Sequence, residues 1–167
     1  QPGSEADLDA VTHGELSSSH KAFSTRCDVA SVDQVRDLLL GLSSGDGFSV
    51  QPVSRVVHAA GTLADGLMRN QNSGTHAINL RLASAAKVSG AKVLHVATIA
   101  ARIQCFCVFG SVVGLLGNAG QGPYAAANAW LDFFAGCRVS RGLCARSVQW
   151  GYVAEVGLAA RNHLESR

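Results

Sequence analysis

No apolar run in this chain approaches the roughly twenty residues that cross a bilayer, and its N-terminus has no signal-peptide core. A membrane is therefore not expected as a partner. Charge of one sign is equally lacking: 14 Lys and Arg stand against 12 Asp and Glu, a formal net charge of +2. So small a balance gives no electrostatic case for nucleic acid. Metal-ligand spacing is missing too, since neither C-x-x-C nor H-E-x-x-H occurs among the cysteines and histidines. Cys27, Cys105, Cys107, Cys137 and Cys144 are odd in number and scattered. Buried free thiols in a reducing compartment such as the cytoplasm are the expectation, with no metal site. No G-x-G-x-x-G precedes Asp28, and the chain starts at Gln1 rather than Met, which reads as a fragment, a processed product or an excised domain.

What is present amounts to one domain of a globular α/β protein, with 47% of its 167 residues hydrophobic. Residues 1–20 are polar and rich in Ser, Gly and acidic side chains, and read as a loop or linker. Ala22 to Cys27 has a strand's composition. Ser31 and Gln34 are spaced as a capping box, and Val32, Val35, Leu39 and Leu42 then recur at helical spacing to about Leu42. Ser54 to His58 reads as a strand that stops at Ala59-Ala60-Gly61. A long helix is expected over about Thr75 to Thr98, burying Ile78, Leu82, Ala85 and Ala86. Cys105 to Phe109 is a strand and Tyr124 to Arg141 a helix, with Gly142 placed to end it at positive φ. Ala145 to Trp150 is the last strand. Strand and helix alternate throughout, which predicts a parallel sheet with helices on both faces.

The stretch Gly110 to Asp132, GSVVGLLGNAGQGPYAAANAWLD, holds the chemistry. Ser111 sits at the mouth of a strand, where open α/β sheets bind ligands. Tyr124 and Asn128 are four apart and share a helix face. Taken singly, Tyr124 reads as a helix-start tyrosine, Ser111 as a strand-end cap, Lys87 as a solvated lysine and Asn128 as a surface amide. Only together do they make a site. GNAGQG at 117–122 follows a strand and precedes a helix, but its spacing is not that of a phosphate-cradling loop.

These residues, with HAAGTLADG, KVSGAKVLH and SVQWG, make the chain resemble the ketoreductase domain of modular polyketide synthases, a branch of the short-chain dehydrogenase/reductase superfamily. The likeness runs from about Cys27 to Ala160. It implies a Rossmann-like, doubly wound parallel sheet, here incomplete at both ends because the first strand and its Gly-rich loop are missing. A sheet without that strand would expose edges and apolar surface, so the chain alone is expected to bind cofactor poorly. Residues 21–167 would then be a partial ketoreductase domain.

In that family Tyr124 is the proton donor, Ser111 holds the substrate carbonyl, Lys87 lowers the phenol's pKa and binds the nicotinamide ribose, and Asn128 fixes the lysine and a relay water. The chemistry agrees: a ketone accepting hydride needs a proton for its oxygen, and an unperturbed phenol, with a pKa of about 10, is better matched to neutral pH beside a cation.

The resemblance also implies cofactor contacts at Asp28 and Val29, beside the adenine, and at Ala59, Ala60 and Gly61, beside the ribose. It implies NADPH, an acyl carrier protein-tethered 3-ketoacyl substrate, and neighbouring synthase domains. Leu63-Ala64-Asp65 stands where one stereochemical class has Leu-Asp-Asp, and Leu116 stands eight residues before Tyr124, where the opposite class has tryptophan. Both imply a D-configured 3-hydroxyl. Pro123 replaces an asparagine common before the tyrosine. A fatty-acid synthase ketoreductase, a non-catalytic structural half and an inactive truncated fragment are the other readings.

Overall fold

The computed structural model describes residues 25–43, 53–67, 69 and 73–151. The elements follow as α1 (Val32–Ser43), β1 (Arg55–His58), α2 (Ser73–Ser84), a π-helical turn (Ala85–Ser89), α3 (Gly90–Thr98), β2 (Cys105–Ser111), α4 (Val113–Leu116), α5 (Gly122–Ser140) and β3 (Arg146–Trp150). The strands form one parallel sheet in the order β1-β2-β3, with Val56 opposite Phe106 and Val108 opposite Ser147. Parallel neighbours require crossover connections, and the α2–α3 helix and α5 supply them. Polar residues 1–20 and Ala22 to Ser24 lie outside the described residues. Thr25 to Cys27, expected as the rest of a first strand, joins no ladder among them.

Alternation along β2 decides which face is covered. Phe106 and Val108 are fully buried against Val56, Ala91, Leu131, Phe134 and Ala135, so α3 and α5 lie on that face. Burying such a phenylalanine contributes about 1.5–3 kcal/mol, and Phe106 meets Phe134 edge-on at 6.1 Å between centroids. On the other face Val57 is 59% exposed and Val148 37%. The buried Arg138 guanidinium lies 3.9 Å over the Phe106 ring and donates to the Cys144 carbonyl at 3.2 Å. It also meets His95 Nδ1. Burial and the charges of Arg138 and Arg141 hold that histidine below its ordinary range.

Four expectations are corrected. The long helix is interrupted by the π turn, which inserts one residue per turn and rotates the face beyond it. Ile78 and Leu82, ahead of that turn, are 57% and 49% exposed and Ala85, at its start, is exposed, while Ala83, Lys87, Gly90, Ala91 and Thr98 are the buried positions. The cysteines are free, but four are half-buried and Cys144 is exposed, with its thiol donating to the Gln104 carbonyl at 3.0 Å. The Ser31 cap forms, with Gln34 N–H donating to Ser31 Oγ at 3.4 Å, yet the Gln34 side chain accepts from the Asp28 N–H at 2.7 Å instead of completing the box. Helix α5 ends one residue before the expected Arg141, and Gly142 has φ +73°.

Candidate active site

Lys87 occupies the centre of the π turn, one helical turn after the buried Ala83. It is 4% exposed, which excludes the reading of a solvated surface lysine. Its Nζ donates to the Phe109 carbonyl at 2.8 Å, near the C-terminal end of β2, and lies 5.5 Å from the centroid of the Tyr124 ring. Desolvation holds the ammonium down to a pKa of about 8. Among the described residues, two of its three donor hydrogens remain beyond the Phe109 bond.

Tyr124 lies in the first turn of α5, directly after Pro123, whose missing N–H costs nothing at the start of a helix. Asn128 is fully buried one turn on, and its Nδ2 donates to the Tyr124 carbonyl at 2.8 Å. The asparagine was expected to fix the lysine, but it is the Phe109 carbonyl that does so. Asn128 Oδ1 is buried and has no partner among the described residues. A buried acceptor left unpaired costs about 1–3 kcal/mol, so a donor from a ligand or water would be held there.

Ser111 is the last residue of β2 and is 7% exposed. Its Oγ accepts from the Val113 N–H at 3.3 Å, a bond that opens α4 and leaves the hydroxyl proton free to donate. Helix α4 lies against α5, where a Cβ on Gly114 would come within 3.2 Å of Asn128 Cβ. Ser111 and Asn128 are thus joined through that short helix. Leu116, at the end of α4, is 83% exposed.

The expected cofactor residues come together on the other side of Lys87. A Cβ on Gly90 would stand 2.8 Å from Val29 Cγ1 and 2.9 Å from His58 Cε1, so the Asp28–Val29 turn and the end of β1 meet over that glycine. Asp28 Oδ1 accepts from the Ala30 N–H at 2.9 Å. Ala59 to Gly61 continue directly from His58. His58 is buried, and its Nε2–H donates to the Lys87 carbonyl at 3.0 Å. Burial lowers its pKa, against the bond to the Lys87 carbonyl, which raises it, and with the Lys87 charge, which lowers it further. Sequence reading passed over His58, which has no ligand spacing. Its one signal was its place at the end of SRVVH, in a strand whose alternate positions face inward.

Asp65 is engaged from the α5 side, where Gln121 Nε2 donates to its Oδ2 at 2.8 Å. Gln121 too was missed, because a glutamine in a Gly-rich loop has no motif of its own.

Comparison with known proteins places this geometry in a family. The sequence model of the KR domain matches residues 5–155. Polyketide synthase GfsB of Streptomyces halstedii is 36% identical over 158 residues, 95% of this chain and 3% of that protein. The spectinabilin polyketide synthase system protein NorA' of Streptomyces orinoci is 40% identical over 149 residues, 89% of this chain and 4% of its own length. Among solved structures, A-type ketoreductases from a modular polyketide synthase superpose with a TM-score of 0.72 at 33% identity, over 84% of this chain and 28% of that one. The first ketoreductase of the tylosin synthase gives 0.64 at 36% identity, over 83% and 29%. The chain therefore spans a few hundredths of these curated relatives and under a third of these solved chains.

Proposed function

The chain belongs to the KR, or ketoreductase, domain family of modular polyketide synthases, and from that premise we propose that it contributes the catalytic segment of a domain reducing a 3-ketoacyl thioester to the 3-hydroxyacyl thioester. The substrate is carried on an acyl carrier protein in the cytoplasm, beside other synthase domains. The observation that carries this reading is the Lys87 ammonium, buried and anchored 5.5 Å from the Tyr124 ring. Polyketide synthases as relatives support this reading over a fatty-acid synthase.

A nicotinamide cofactor, NADPH in this reading, supplies hydride when bound. The residues fit its ribose, because Lys87 keeps two donor hydrogens and Tyr124 adds a hydroxyl. Asp28, Val29 and the small residues Ala59 to Gly61 would lie along its adenosine end. Ser111 Oγ–H donates to the substrate carbonyl, a kind of contact whose removal costs about a hundredfold or more. Tyr124 gives its proton to the same oxygen as negative charge develops there. The Lys87 cation favours the phenolate left behind. Asn128 holds the backbone of Tyr124 through its Nδ2 and offers Oδ1 to a water that can refill the proton. Asp65 retained and Leu116 in place of tryptophan support a D-configured product.

The test is Tyr124→Phe in the full-length polypeptide. Reduction of a ketoacyl thioester is expected to fall by about 10²–10⁴ while NADPH still binds; unchanged turnover would remove Tyr124 as the acid.

A further inference from the structure

Helix α5 begins on Gln121, yet the side chain of this residue does not cap the helix. Its amide spans two loops instead: Oε1 accepts from Asn118 Nδ2 at 2.9 Å, and Nε2 donates to Asp65 Oδ2 at 2.8 Å. The main chains meet at the same place, with the Gly66 N–H donating to the Gly120 carbonyl at 2.8 Å. That approach uses φ +80° at Gly120, a conformation costly for any residue with a Cβ. The first turn of α5 hangs from the same residue, because the Ala125 N–H donates to the Gln121 carbonyl at 2.7 Å. Tyr124 lies inside that turn. First turns are the least restrained part of a helix, with N–H groups that have no intrahelical partner. Where no side chain caps the turn, contacts beyond the helix set its angle.

We propose that Gln121 is a positioning residue for the reduction, tying the 61–67 segment to the start of α5 and so holding the Tyr124 phenol where the Lys87 ammonium and the substrate oxygen can share it. This rests on Tyr124 being the proton donor. An amide suits the place, since it must donate to a carboxylate on one side and accept from an amide on the other. A misplacement of about 1 Å in a reacting group can cost about a hundredfold in rate, so a tether of this kind acts on turnover without touching substrate.

A swap of donor and acceptor tests it in the full-length polypeptide. Gln121→Glu sets two carboxylates against each other, and kcat is expected to fall about tenfold, the equivalent of one lost hydrogen bond, with NADPH affinity unchanged. Adding Asp65→Asn restores a donor, since the new amide can donate to the new carboxylate while Asn118 donates to its other oxygen, and the tether should recover. Hydrogen exchange at the Gly66 amide reads the tether without turnover, and should quicken in the single variant and return in the double. No change in Gly66 exchange overturns the tether, and failure of the double variant to recover overturns the assigned bond. An active wild type whose kcat ignores Gln121→Glu overturns the positioning role alone, whereas an inactive wild type overturns the reduction itself.

Discussion

Lys87 is the residue on which chemistry and stability pull in opposite directions. A cation at 4% exposure, held by one carbonyl among the described residues, is costly to keep charged, which is why its pKa falls from 10.5 to about 8. The sign of the consequence follows from proton counting. Between pH 8 and 10.5 the unfolded chain holds a proton on this side chain that the folded chain has released, so folding stability rises with pH across that window. The gain is on the order of 3 kcal/mol. Chemical denaturation over that range should show the rise, and Lys87→Met should remove it; equal slopes in both proteins would contradict the buried ammonium. The four candidate residues stood out in the sequence because the family resemblance gives each a partner at a fixed order and spacing. Their burial did not, since Lys87 and Asn128 taken singly read as surface side chains.

At the scale of elements, the sequence carried strand and helix identity well and helix facing badly. Strands β1, β2 and β3 lie within two residues of their expected bounds because valine-rich alternation and the following glycines mark them. The buried stripe of the long helix was misread at Ile78, Leu82 and Ala85, because the apolar side chains there face outward while Ala83 and Lys87 face inward, and the π turn over Ala85–Ser89 was not foreseen. Nothing local encodes that turn. It is fixed by tertiary packing of Gly90 on Val29 and His58, with His58 bonded to the Lys87 carbonyl inside it. Gly90→Ala separates the two effects. Helix propensity alone would favour alanine by about 1 kcal/mol, and the backbone there is already helical, at φ −57°. A Cβ at 2.8 and 2.9 Å from two side chains must displace them, and overpacking of this kind costs about 1–3 kcal/mol. Net destabilisation in a denaturant titration is therefore expected. A more stable variant would mean that the Val29–His58 contact is loose.

Across the whole molecule, the site is drawn from segments far apart in the chain and joined by few bonds: Lys87 to the Phe109 carbonyl, Asn128 to the Tyr124 carbonyl, and Gln121 to Asp65. The described face with Phe106 and Val108 is packed, and the face with Val57 and Val148 is partly open. None of this long-range assembly can be read from spacing, because it depends on the order of strands in the sheet and on which helix face turns inward. The central claim is that Lys87 and Tyr124 act on one proton. A double-mutant cycle on kcat in the full-length polypeptide tests it most directly, using Lys87→Met, Tyr124→Phe and both together with a 3-ketoacyl thioester. Residues that act as a unit are strongly non-additive, so each single change should cost about 10²-fold or more and the double variant should be little slower than the slower single. Costs that multiply, as for two independent residues, would contradict the account.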